Sequence, residues 1–141
     1  MAAPLGIEVT EKPVKSIAEA EQALSFVPES SAGAFIICAS LFRQATKKIA
    51  SVAIQRKLPL FGCSVRQVAE EGVLLTYGPN LYYIGYRGAW YVDRILKGAR
   101  PQDLPVEGPK KFELVINLKT ANAIGLKIPP EVLIRADKVI Q

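Results

Sequence analysis

Apolar and polar positions change period repeatedly along the chain, and the changes predict its elements in turn. Ile7 to Val14 alternates, as a half-exposed strand would. Ser16 then opens SIAEAEQALSF with Glu19 three residues on, the pattern of a capping box. Ile17, Ala20, Leu24 and Val27 give that helix its apolar face. After turn chemistry at Pro28 to Gly33, Ala34 to Ala39 is a short continuous apolar run, which predicts a strand covered on both faces. Ser40 can cap the next helix, Leu41 to Lys57. There Phe42, Ala45, Ile49, Val52 and Ala53 line one side, and Arg43, Gln44, Lys47, Lys48 and Gln55 the other.

The alternation continues downstream. Leu58 to Gly62 predicts a strand, Val65 to Glu71 a helix closed by Gly72, and Val73 to Tyr77 a strand ended by Gly78-Pro79. Asn80 caps a long helix that runs to Lys97, with Gly98 past its end. Leu81, Ile84, Gly85, Gly88, Ala89, Val92, Ile95 and Leu96 form its expected buried stripe. Tyr82, Tyr86 and Trp90 recur beside that stripe, so the helix is apolar around much of its surface and should pack against more than one element. Two glycines inside a helix cost about 1 kcal/mol each relative to alanine, and suit a place where another backbone approaches closely. Residues 99–111 are a Pro-rich connector. Phe112 to Leu118 predicts the last strand, and Lys119 to Gly125 and Pro130 to Ile140 predict helices. The first five residues read as the last turn of a helix ending at Gly6. Strand and helix thus alternate throughout, which predicts a single α/β unit over residues 1–141: a three-layer αβα sandwich around a mostly parallel sheet.

Composition narrows the function. Half the residues are hydrophobic and 22% are charged, a composition with enough apolar material for a core. The net charge of +5 raises the question of nucleic acid, but the basic residues are scattered and no nucleic-acid-reading motif accompanies them. No nucleic-acid partner is expected. The chain has no histidine, which removes Ser-His-Asp and Cys-His nucleophilic systems and His-ligated zinc. An enzyme is therefore not expected. The two cysteines, Cys38 and Cys63, make no disulfide framework. Cys38 reads as a buried hydrophobe and Cys63 as a more accessible thiol. No run of 18 apolar residues occurs, and MAAPLGIEVTEK lacks the basic and apolar regions of an export signal.

In open parallel sheets, ligands bind outside the carboxyl ends of the strands. Three such ends offer small residues, hydroxyls or amides at helix starts. They contribute Ser40 and Phe42, then Ser64, then Tyr77, Gly78 and Asn80. The plainer alternative makes Ser40, Ser64 and Asn80 helix caps, and Tyr77 a half-buried structural tyrosine. Gly85-Tyr-Arg-Gly88 lies inside a helix and is no phosphate loop, no G-x-G-x-x-G follows a strand, and no cofactor or metal is expected.

From Gly72 onward the residues resemble the substrate-binding proteins of ABC transporters, in the group of tryptophan- and tyrosine-type uptake systems. The matching stretches are GVLLTYGPNL (72–81), YVDRILKGARPQDLPVEGPKKFELVINLKTANAIGLKIPP (91–130) and EVLIRADKVIQ (131–141). GIEV, AFIICASLF and LPLFG stand upstream in the expected order. The resemblance implies one Rossmann-like lobe of a type I periplasmic-binding-protein fold, the C-terminal one, with the other lobe and the export or lipoprotein signal outside this chain. It implies a small-molecule solute, with an aromatic amino acid among the candidates, an ABC permease as partner, and a periplasmic or membrane-tethered location. Where the family often has a polar or acidic residue after the second strand, this chain has Ala39-Ser40. A homodimer through an open sheet edge or the Tyr82/Tyr86/Trp90 face is also expected. The alternative to transport duty is a stand-alone interaction or sensor module.

Overall fold

Most of the described helices start at a side-chain cap, and most end at a left-handed residue. A computed structural model describes residues 6–28, 32–35 and 45–141. The helices are α1 (Ile17–Ser25), α2 (Thr46–Gln55), α3 (Val65–Glu71), α4 (Leu81–Leu96), α5 (Leu118–Ile124) and α6 (Pro130–Ile134). The strands are β1 (Ala34–Phe35), β2 (Leu60–Gly62), β3 (Leu75–Pro79), β4 (Phe112–Asn117) and β5 (Lys138–Ile140). The hydroxyl of Ser16 accepts from the N–H of Glu19 at 3.1 Å. The Glu19 carboxylate reaches the N–H of Lys15 at 2.8 Å, one residue earlier than a capping box would take it. Ser64 closes a full capping box with Gln67, and Gly72 ends α3 at φ +83°, a conformation that suits glycine.

The strands lie in the order β1-β2-β3-β4-β5. β1/β2, β2/β3 and β4/β5 are parallel, whereas β3 and β4 are antiparallel, with Tyr77 opposite Leu114 and Pro79 opposite Phe112. The sheet is thus mostly parallel and flanked by helices, as the alternation predicts. The main core gathers Leu24 of α1, Ile49 and Ala53 of α2, Val68 of α3 and Leu60 and Val115 of the sheet. A second cluster joins Leu74, Ala121 and Ile124, with half-buried Phe61 and Leu75 packed against it. Polar side chains lock the two halves of the chain together. Asn117 donates to the Val68 carbonyl at 2.8 Å, and Thr120 to the Gly72 carbonyl at 3.0 Å. Leaving such a buried acceptor without its donor costs about 1–3 kcal/mol.

Several sequence expectations need correction. Residues 7–14 form no strand, because they pair with no neighbour among the described residues, and Ile7 and Val9 stay exposed. Gly78-Pro79 does not end β3; the ladder to β4 carries the strand through Pro79. Residues 138–140 are a strand and not the end of a helix. The Asp137 side chain accepts from the Leu114 N–H at 2.8 Å, its own N–H donates to the Leu114 carbonyl at 2.9 Å, and the chain is set into register beside β4. The expected buried stripe of α4 is not buried: none of its 16 residues is. The predicted strand over 36–39 and the start of the helix at 41–44 lie outside the described residues.

Candidate functional site

The carboxyl ends of β2 and β3 meet at one edge of the sheet. Since β4 runs the other way, its first residues reach the same edge. Gly78 is needed there. A Cβ on it would stand 2.8 Å from the Cys63 carbonyl oxygen, so only glycine lets the end of β2 approach this closely. The Thr76 hydroxyl donates to the Gly62 carbonyl at 3.0 Å and fastens the same two strand ends below it.

The polar candidates prove to be occupied. The Ser64 hydroxyl accepts from the Gln67 N–H at 3.4 Å. Gln67 Oε1 takes the N–H groups of Cys63 and Ser64 at 2.9 and 3.2 Å, and its Nε2 donates to Thr46 Oγ1 at 3.3 Å. Two backbone donors at this helix start, the N–H groups of Cys63 and Ser64, therefore serve Gln67. Asn80 Oδ1 accepts from the Tyr83 N–H at 2.6 Å and caps α4, while Nδ2 donates to Glu113 Oε1. Ser64 and Asn80 both act as helix caps, as the plainer alternative has it. Ser40 and Phe42 lie outside the described residues.

Tyr77 is different. Its side chain is 68% exposed and its ring stacks on Phe112, 44% exposed, with centroids 5.6 Å apart and planes 23° from parallel. By the period of two, Leu75, Tyr77 and Pro79 share one face of β3, and their partners Ile116, Leu114 and Phe112 share it on β4. This face is closed at Ile116, which is fully buried, and opens toward the two rings. The result is a flat aromatic surface at the carboxyl edge, next to the close-packed backbone at Gly78. Stacked aromatic contacts add about 0.5–1.5 kcal/mol beyond the area they bury.

Tyr77, Gly78 and Asn80 lie together at this edge, and Phe112 and Gln67, which the sequence reading did not single out, stand beside them. Phe112 could not be found, since nothing local shows that β4 runs antiparallel. Gln67 could have been, because S-x-x-Q before an apolar run is a helix-start signature. Cys63 corrects a further expectation: it is disulfide-bonded, and the only other cysteine, Cys38, lies outside the described residues. A bridge is decided by the separation of two Cα atoms, which a count of cysteines does not contain.

A concavity of about 350 Å³ lies elsewhere, between α4 and the connector, lined by Tyr91, Ile95, Pro101, Leu104, Pro105, Val106 and Glu107. Its carboxylate is engaged: Glu107 pairs with Arg87 at 2.8 Å and with Lys110 at 3.3 Å. Among the described residues no helix is long and apolar enough to cross a membrane.

Comparison with known proteins shows the family and the fold. The profile of a family described as ABC transporter substrate binding protein matches residues 1–140. A tyrosine-binding protein of Clostridioides difficile is 24% identical over 120 residues, which are 85% of this chain and 34% of that protein. A conserved domain protein from Vibrio cholerae superposes with a TM-score of 0.85 at 33% identity, over 98% of this chain and 46% of its own. An ABC domain from Streptococcus pneumoniae, solved in complex with L-Trp, gives a TM-score of 0.86 at 25% identity, over 99% and 47%. The chain therefore spans about a third of the curated relative and just under half of the solved chains it matches.

Proposed function

We propose that this chain, which belongs to the ABC transporter substrate-binding protein family, forms one wall of a cleft that holds a small solute of the amino-acid kind. The observation that carries this reading is the exposed Tyr77/Phe112 stack at the carboxyl edge, where open α/β sheets receive their ligands. Gly78 contributes bare backbone beside the rings. Ser64 and Asn80 contribute rigidity, holding the starts of α3 and α4 in place. The family is one of binding proteins and not of catalysts, and the chain is accordingly read as a receptor that hands its solute to an ABC permease.

The solute class follows from the surface and from the relatives. Two stacked rings suit a flat, apolar solute side chain. One relative binds tyrosine and another was solved with L-Trp, which makes aromatic amino acids the first solutes to test. A ligand pocket usually buries roughly 70–90% of its ligand, and a single wall cannot. The affinity of this chain alone should therefore be weak. The disulfide at Cys63 supports a location outside the cytoplasm, since such bonds persist in oxidising compartments.

The test is a titration of the isotope-labelled chain with L-tryptophan and L-tyrosine, followed by amide chemical shifts. Ring-current shifts should concentrate at residues 62–64, 76–80 and 112–113. Shifts confined to the α4–connector concavity would place the solute elsewhere and refute the reading. So would the absence of any shift up to the solubility limit.

A further inference from the structure

Gln67 makes more bonds than a helix start needs. A capping box uses this side chain once, on the N–H of the capping residue, here Ser64 at 3.2 Å. Gln67 Oε1 also takes the N–H of Cys63 at 2.9 Å, one residue before the cap. Its Nε2 donates to Thr46 Oγ1 at 3.3 Å, at the first residue of α2 and 21 positions away in the chain. Gln67 is 5% exposed and Thr46 is fully buried, so these bonds run through the interior. Gly62 leaves the room for them, since a Cβ there would stand 2.7 Å from Gln67 Oε1.

The extra bonds fix the direction of one peptide unit. The Cys63 carbonyl and the Ser64 N–H belong to the same planar trans unit, so they point opposite ways. The N–H is turned inward onto Gln67, and the carbonyl accordingly lies on the other side, against Gly78. Gly78 follows Tyr77, whose ring stacks on Phe112. The start of α3 thus meets the aromatic edge through a peptide whose orientation Gln67 sets.

We propose that Gln67 is the positioning residue of the solute wall. Buried itself, it touches no solute, and it holds the Cys63–Ser64 peptide in the orientation that a solute meets. A peptide free to turn would exchange its carbonyl for its N–H beside Gly78, and the wall would offer a donor in place of an acceptor. This role rests on the reading of the chain as one wall of a cleft, and it names the residue that keeps the wall in shape.

The test compares the 141-residue chain with its Gln67→Met and Gln67→Glu variants, each well below its unfolding midpoint. Methionine matches glutamine in length and lacks the carbonyl that takes the two N–H groups. Glutamate keeps an acceptor, and the Thr46 hydroxyl can turn to donate to it. Two quantities are read by NMR. One is the exchange of the Cys63 and Ser64 amides against that of Leu74, whose N–H donates to the Leu60 carbonyl at 2.9 Å. The other is the initial slope of the Gly78 amide shift with added L-tryptophan. Gln67→Met should speed the two amides by about tenfold or more relative to Leu74 and lower the slope by about three- to tenfold. Gln67→Glu should keep both near the wild-type values. A purely structural role would leave the slope of the folded Gln67→Met protein unchanged, and that result overturns the proposal. So does a slope lost in Gln67→Glu while its two amides stay protected. Should Gln67→Met not fold, Gly62→Ala displaces the Gln67 side chain and should move both quantities the same way; an unchanged slope there overturns the proposal too. A wild type without any shift fails the wall itself, whereas a wild-type slope that the variants leave untouched fails the role of Gln67 alone.

Discussion

Helices α2 and α4 are both amphipathic by sequence, and the chain treats them in opposite ways. In α2, Thr46, Ile49, Ala50 and Ala53 are buried, set against α1, α3 and the sheet. In α4, whose apolar side is longer and free of charge, no residue is buried. The difference lies in the partner each finds. An apolar stripe states that a face will be buried, and says nothing about which part of which chain will bury it. The proposed solute edge lies between the two regimes, tied at Gly78 and Thr76 to the packed sheet and leading at Asn80 into the unpacked helix.

Substitutions can break this comparison, beginning with the largest effect. Ile49→Ala should cost about 2–5 kcal/mol in urea unfolding, because it opens a cavity among residues that are nearly all buried. Val92→Ala in α4 should cost less than about 0.5 kcal/mol, as an exposed change does. Similar costs at the two sites would mean that α4 is packed after all. Glycine changes should differ even in sign. Gly78→Ala drives a Cβ against the Cys63 carbonyl and should destabilise by about 1–3 kcal/mol. Gly88→Ala meets open space and should stabilise by up to about 1 kcal/mol, measured as midpoints of thermal unfolding.

At the solute edge, Tyr77→Ala should leave the unfolding midpoint nearly unchanged, the side chain being mostly exposed, while removing the shifts induced by L-tryptophan. A lost midpoint with retained shifts would make Tyr77 a structural residue.

The smallest effect concerns the Arg87–Glu107 pair that holds the connector on α4. Burial disfavours the charge on each, but for Glu107 the hydrogen bonds from Arg87 and Lys110 outweigh it and leave the carboxyl below its ordinary value; Arg87 is correspondingly raised. A carboxylate with a lowered folded value stabilises above its unfolded pKa of about 4.3, and that support is lost as pH falls through the folded value. Hydrogen exchange over residues 99–107 should therefore quicken below about pH 4 relative to the rest of the chain. Glu107→Gln should abolish the pH dependence.

Much of the fold is legible in the sequence where the signal is local. Ser64, Gly72, Asn80 and Gly98 bound α3 and α4 as read, because a cap or a positive φ acts within a turn of the chain. What escapes is pairing. The direction of β4, and hence Phe112 at the solute edge, depends on a ladder between residues more than thirty apart. Residues 138–140 become a strand because β4 supplies an edge, and residues 7–14 do not because no described strand pairs with them. The site was half legible for the same reason: Tyr77 and Gly78 could be placed by strand order, whereas the occupation of Ser64 by Gln67 and of Asn80 by Glu113 is settled only in three dimensions.

Hydrogen exchange of the isolated chain, read separately over α2 and α4, tests the central contrast most directly. A lone helix of this length is marginal in water, all the more with two interior glycines. In the isolated chain, α4 amides should exchange orders of magnitude faster than those of α2 and β3. Equal protection of α4 and α2 in a monomeric sample would contradict it, showing that α4 already has its partner within this chain.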